Sequence, residues 1–226
     1  MNIDDLINAI SSERLHPYRT QGDSDHDALE RYKNNILLSE ALYPCLHMLE
    51  IVLRNRLEAV LIDRFGDTWY QNPELTNQMM SKSQMKPEGK QLRQAKRNLR
   101  NQPHKQVASG RVVAELNFGF WTALLGRAYE DDIWRPYDFD IFPNTQPADR
   151  DIKTIRVNLR DIRKLRNRIF HHEPIWNDPH LQSKHAAITR LLSWLNADAA
   201  TYLGRCDRFS EVHKRVGVGS NRRDLN

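Results

Sequence analysis

The sequence predicts an all-α protein. Apolar residues recur every three or four positions over several long stretches, the period of a helix with one buried face, and no segment shows convincing strand alternation. At 226 residues the chain is long enough to bury a sizeable core, and residues 1–226 read as a single domain.

Taken in order, the first long stripe runs from Ala28 to Ile62 through Leu29, Tyr32, Ile36, Leu42, Leu46, Leu49, Leu53, Leu57 and Leu61, with a break or kink expected at Pro44. Gly66 and the Asn72-Pro73 pair mark a loop. A helix then opens at Pro87 and ends near Asn101, before Pro103. Gly110–Tyr129 is densely apolar and reads as a buried helix from about Val112, interrupted or closely packed at Gly119, with Phe118, Phe120 and Trp121 in the core. Glu130–Ala148 is an acidic, Pro-containing connection, long enough to hold a short helix. The helical period returns from Asp149 at Ile152, Ile155, Leu159, Ile162, Leu165 and Ile169, and again over Leu181–Leu203. The tail, residues 205–226, is polar and expected to fray. LRNRL at 53–57 echoes LRNRI at 165–169, but the flanks differ, so the echo is not a repeat.

Charge is unevenly placed. Residues 82–105 hold eight Lys/Arg against one acid, and residues 150–168 hold eight against two, so these segments carry +13 and the remainder −8 of a net +5. Lys82, Lys86, Lys90, Arg93, Arg97 and Arg100 follow each other at spacings of three and four, which on a continuous helix makes one basic face. A solvated face explains such a run as well as a polyanion-binding one does. Cys45 and Cys206 cannot make a disulfide framework, no charged-then-apolar leader opens the sequence, and the longest apolar run, Phe118–Leu125, is too short to span a bilayer. A cytoplasmic location with no membrane partner is therefore expected. Cys45 and His47 are expected in the core.

The stretch that carries chemistry is Leu165–Trp176, LRNRIFHHEPIW. Arg166 falls inside the apolar sector of its helix, where a cation needs a reason, and His171, His172 and Glu173 fall at the helix end, because Pro174 disfavours helix for the residue before it. Arginine and histidine together suit phosphodiester chemistry on RNA. A histidine can take the proton of a 2′-hydroxyl or return one to the leaving 5′-oxygen, and a guanidinium can hold the charge that builds on the phosphate. This route needs no metal and no cofactor, and its need for a 2′-hydroxyl selects RNA.

Arg166-Asn167-Arg168-Ile169-Phe170-His171 resembles the hallmark of the HEPN superfamily, an arginine, a polar residue, three variable positions and a histidine. The fuller RNRIFHHEPIW, with ALYPCLHMLEIVLRNRL at 41–57 and GRVVAELNFGFWTALL at 110–125, resembles the abortive-infection (Abi-like, AbiD/AbiF type) branch. The resemblance implies a HEPN-type helical bundle with additional helices. Its core would come from helices near 28–62 and 149–203, with the basic segment near 82–105 as an insertion. It further implies a metal-independent endoribonuclease of phage defence or toxin-like growth arrest that cuts RNA by 2′-hydroxyl transesterification. Arg166 would bind the scissile phosphate, His171 would be the acid/base and Asn167 would orient one of them, with His172 and Glu173 in support. HEPN sites are usually composite, so one motif per chain implies a homodimer. RNA would be drawn to Lys86, Lys90, Arg93, Arg97 and Arg100, and to Arg160, Arg163 and Lys164.

Other readings stand beside this one. The chain also reads as a noncatalytic RNA-binding module held in check by an RNA or protein partner, or as a structural dimerisation protein. Arg166 could be a structural cation paired with a carboxylate such as Glu50. His171, His172, His180, His185 and Glu173 could ligate zinc, but they lack the register that puts two ligands on one helical face.

Overall fold

The computed structural model describes residues 2–80, 84–100 and 109–217. Among the described residues the regular structure is helical, with no strand and one isolated bridge between Met80 and Met85.

Two short helices open the chain, α1 (Ile3–Ile10), capped by the Asn2 side chain, and α2 (Ser12–Leu15). The sequence reading assigned no helix here. After a 3-10 turn that buries Tyr18 comes α3 (Asp25–Phe65), the spine of the molecule. It starts in a reciprocal capping box between Ser24 and Asp27 and stops at Gly66, whose φ of +80° suits a residue without Cβ. The expected break at Pro44 does not occur, and the helix runs through it. Proline there removes one backbone donor, and the buried side chains on both sides, Leu38, Leu42, Leu46 and Leu49, hold the helix in register across the gap. By length and composition α3 is apolar enough to cross a membrane, although its apolar residues do not form one unbroken run; here its leucines line the core.

Helix α4 (Pro73–Gln78) leads to α5 (Pro87–Arg100), the basic helix. Gly89 lets α5 approach the preceding segment, since a Cβ there would lie 2.7 Å from Met85 Cγ and 3.0 Å from Met79 Cβ. The apolar 110–129 segment forms two helices, α6 (Ser109–Glu115) and α7 (Phe118–Leu124). They part at Asn117, whose side chain accepts from Phe120 N and caps α7, so the interruption falls two residues before Gly119. Phe118, Phe120 and Trp121 are buried as expected. The acidic connection contains a π-helical turn, Glu130–Trp134, and α8 (Arg135–Ile141), so it is largely helical.

Helix α9 (Ile152–Phe170) carries the motif and is capped by Asp151. Then come α10 (Leu181–Leu195), α11 (Ala197–Leu203) and α12 (Phe209–Val216). The fraying expected from residue 205 does not hold for 205–217, because Phe209 and Val212, three apart on one face, are buried against α3. Residues 218–226 lie outside the described residues. One apolar cluster runs from Leu38 through α5, α7, α9 and α10 to Val212.

Candidate active site and basic surface

The end of α9 is built by a Schellman motif. His172 N–H donates to Ile169 O at 3.0 Å and Glu173 N–H to Arg168 O at 2.7 Å, while His172 takes the left-handed conformation with φ +58°. This position usually belongs to glycine, and a non-glycine residue there is strained. The turn leaves His171, His172 and Glu173 exposed. The Arg14 guanidinium donates to His172 O at 3.0 Å, bringing the N-terminal helices onto the motif.

Arg166 is half-buried. Its Nε donates to Glu50 Oε2 on α3 at 3.4 Å, and its guanidinium lies 4.1 Å above the Phe170 ring. Phe170 in turn faces Tyr43 across 6.0 Å, and Tyr43 stacks on His47 at 5.8 Å. His47 is therefore exposed rather than in the core, whereas Cys45 is buried. Tyr43, His47 and Glu50 follow each other by four and three, so one stripe of α3 faces the motif. Asn167 is exposed.

Behind the motif the chain is pinned to α3. Asn35, buried in the apolar stripe, accepts from Ile175 N at 2.6 Å and Trp176 N at 3.2 Å. Arg168 donates to Pro174 O and pairs with Asp178 at 3.6 Å, and Lys184 reaches Asp178 at 2.5 Å. Burial pushes the Asp178 carboxyl up, but the Lys184 ammonium, the His180 N–H and Arg168 outweigh it and hold the group below the usual carboxylate range.

Beside the motif lies a groove of about 790 Å³, bordered by Ile36, Tyr43 and Phe170 on its apolar side and Arg14, His172 and Arg208 on its polar side. Ile36, Tyr43 and Phe170 are 51%, 50% and 42% exposed, a high value for three large apolar side chains grouped together.

The basic segments separate into working surface and scaffold. Lys90, Arg93, Arg97 and Arg100 are exposed along α5, and the three arginines line a second groove of about 410 Å³ together with Lys96. Glu88, the single acid in the stripe, is turned inward and accepts from Tyr129 Oη at 2.6 Å, so it does not dilute the exposed face. Lys86 does not belong to that face. Its ammonium donates to Gln78 O at 2.5 Å and sits 5.0 Å from the Tyr129 ring, because it precedes the first turn of α5 and folds back on the core. Lys82 and Lys105 lie outside the described residues. On α9, Lys164 is exposed, Arg160 is exposed beside Asp161 at 3.1 Å, and Arg163 leans on α7 with its guanidinium 3.5 Å from Thr122 Oγ1. Arg156 is engaged by Leu125 O and Glu130, and Arg150 by Thr145 O and Asp138, so part of the positive charge of this segment is structural.

The zinc set weighed from sequence is not assembled, since among the described residues no metal-ligating group joins His171, His172, His180 and Glu173. Asn35, Arg14, Tyr43 and Phe170 were not singled out as site residues from the sequence. Asn35 gave a signal, an amide three residues before Leu38 and seven after Ala28 in the buried stripe; Arg14 gave none.

The family model described as Abi-like protein matches residues 3–177, from the start of α1 to just past the motif and its anchored loop. The chain belongs to the Abi-like protein family. Membership suggests a role in abortive infection or phage defence. No curated protein and no solved structure matches the chain. The matched span of this Abi-like protein includes Arg14, Asn35, Glu50, α5 and the whole of α9, and stops before α10, α11 and α12.

Proposed function

We propose that this Abi-like protein is a metal-independent endoribonuclease of the HEPN type, acting in phage defence or growth arrest. The observation that carries the reading is Arg166 held between Glu50 and Phe170 one turn before an exposed His171 at a strained helix end. Arg166 binds the scissile phosphate and stabilises the charge of the pentacoordinate transition state. One histidine accepts the 2′-hydroxyl proton and another returns a proton to the departing 5′-oxygen, leaving a 2′,3′-cyclic phosphate and a 5′-hydroxyl, with His171 in one of these roles. One imidazole cannot readily do both on opposite sides of a phosphate, so a second motif from another copy completes the site in a homodimer. The exposed Ile36, Tyr43 and Phe170 beside the motif support that assembly. RNA is drawn in by Lys90, Arg93, Arg97 and Arg100.

The test is cleavage of an RNA pool in EDTA by the purified protein, with Arg166→Ala and His171→Ala run alongside after circular dichroism shows them folded. Loss of cleavage in both variants is expected. Undiminished cleavage by both removes the site assignment. Salt-dependent RNA binding by wild type without cleavage of any pool replaces the nuclease with a noncatalytic RNA-binding module, for which the exposed arginine stripe of α5 already suffices.

A further inference from the structure

Away from the motif, three metal-ligating side chains from three separate elements converge. Cys45 comes from the buried face of α3, His185 from α10 and Asp207 from the turn between α11 and α12, and their donor atoms all lie within 4.8 Å of one another. His185 Nε2 and Asp207 Oδ2 are 2.8 Å apart, with side chains only 11% and 17% exposed. The His185 ring is held flat against Phe209, with centroids 4.4 Å apart and planes 26° from parallel, so its orientation is fixed by packing. The proposed ribonuclease chemistry uses none of these residues.

We propose that Cys45, His185 and Asp207 bind a thiophilic divalent cation of the zinc class, with water in the fourth position, as a clasp that ties α12 to α3. The donor set is one thiolate, one imidazole and one carboxylate, which suits zinc and its spectroscopic stand-in cobalt and does not suit magnesium or calcium. Binding exchanges the Cys45 S–H proton for the metal, which releases that proton to solvent, and the His185–Asp207 hydrogen bond opens to admit the ion. Two of the three ligands lie beyond residue 177, outside the span matched by the family model. The clasp also bears on the groove beside the motif, because Arg208, next to Asp207, pairs with Glu40 at 2.8 Å on the groove's rim.

The experiment uses the full chain, stripped with chelator, dialysed and titrated with Co²⁺ and then Zn²⁺. Wild type should take up one Co²⁺ per chain with thiolate-to-cobalt charge-transfer absorption that Zn²⁺ abolishes. Zinc at about a hundredfold excess over its Kd should raise the melting temperature by roughly 5–10 °C. Asp207→Asn and His185→Gln should each weaken cobalt binding by about tenfold or more, and Cys206→Ser should leave it unchanged. Cys45→Ser should lose the charge-transfer band; if that buried variant does not fold, the other two decide. A folded wild type with no band and no zinc-dependent melting shift overturns the proposal, as does a band that depends on Cys206 and not on Asp207. None of these readouts involves RNA, so this clasp and the ribonuclease reading stand or fall separately.

Discussion

Arg166 of α9 and Glu50 of α3, 116 residues apart in sequence, meet at 3.4 Å, with each side chain 23% exposed. The pair is neither a surface ion pair nor a sealed one. The guanidinium also stacks on Phe170, so its orientation is held by protein on one edge and one face. Glu50→Gln is expected to cost under about 1 kcal/mol in stability, as partly exposed pairs do. RNA cleavage in the same variant is expected to fall by about tenfold, through loss of a held orientation. Denaturant melts and initial cleavage rates on one protein batch separate the two effects; an unchanged rate shows that Glu50 does not position Arg166.

His172 occupies the left-handed position of the α9 terminus, which glycine fills without strain. His172→Gly is expected to stabilise the protein by about 1 kcal/mol, a rise of about 2–4 °C in melting temperature. If cleavage falls while stability rises, the imidazole of His172 contributes to chemistry and its strain is retained for that purpose. A drop in melting temperature shows that the ring makes contacts worth more than the strain.

Much of this architecture is legible in sequence because one principle governs it, the burial of one face of each helix. The leucines of α3 and the isoleucines of α9 announce themselves by spacing, and Arg166 stands out against them as a cation in an apolar sector. What the spacing does not give is which polar residue faces which. Asn35 is visible as an amide in the buried stripe, but its partners emerge only when α3 is laid beside the chain after Pro174, and Lys86 reads as part of the basic face until its ammonium is found on Gln78 O. His47 is misread for the same reason, since membership of an apolar helix does not say which side a residue occupies. The C-terminal helix α12 is missed because two apolar residues, Phe209 and Val212, are too few to make a visible period.

The Asn35 carboxamide oxygen accepts from two buried or half-buried backbone N–H groups, those of Ile175 and Trp176. Asn35→Leu strands both donors and is expected to cost about 2–5 kcal/mol. Asn35→Asp keeps the acceptor oxygen and should lose less. Urea melts of the two variants give the comparison, and equal losses remove the hydrogen-bonding explanation.

Asp178 titrates below the ordinary carboxylate range in the folded protein. A group whose folded pKa is depressed contributes stability that is present above its unfolded pKa and lost as pH falls through the folded value. Stability of wild type is therefore expected to decline on the acid side of the ordinary carboxylate range, with the loop after the motif loosening as Lys184 and Arg168 lose their partner. Asp178→Asn should be less stable at neutral pH and show a flatter acid limb. An acid limb identical to wild type assigns the loss to other carboxylates.

The arginine stripe of α5 makes a quantitative prediction about RNA. Exposed cations that neutralise phosphates release condensed counterions, and each such contact on a single strand contributes about 0.7 to the slope of log K against log salt. Replacing Arg93, Arg97 and Arg100 by glutamine is therefore expected to reduce that slope by about 2. Lys86→Gln should leave it almost unchanged, because the Lys86 ammonium is already spent on Gln78 O and the Tyr129 ring. The two variants share a helix region and differ in where the charge points, so the comparison isolates geometry from total charge. Equal slope changes per charge removed show that RNA senses the overall field of the protein, and a large effect confined to the arginines places RNA along the groove they line.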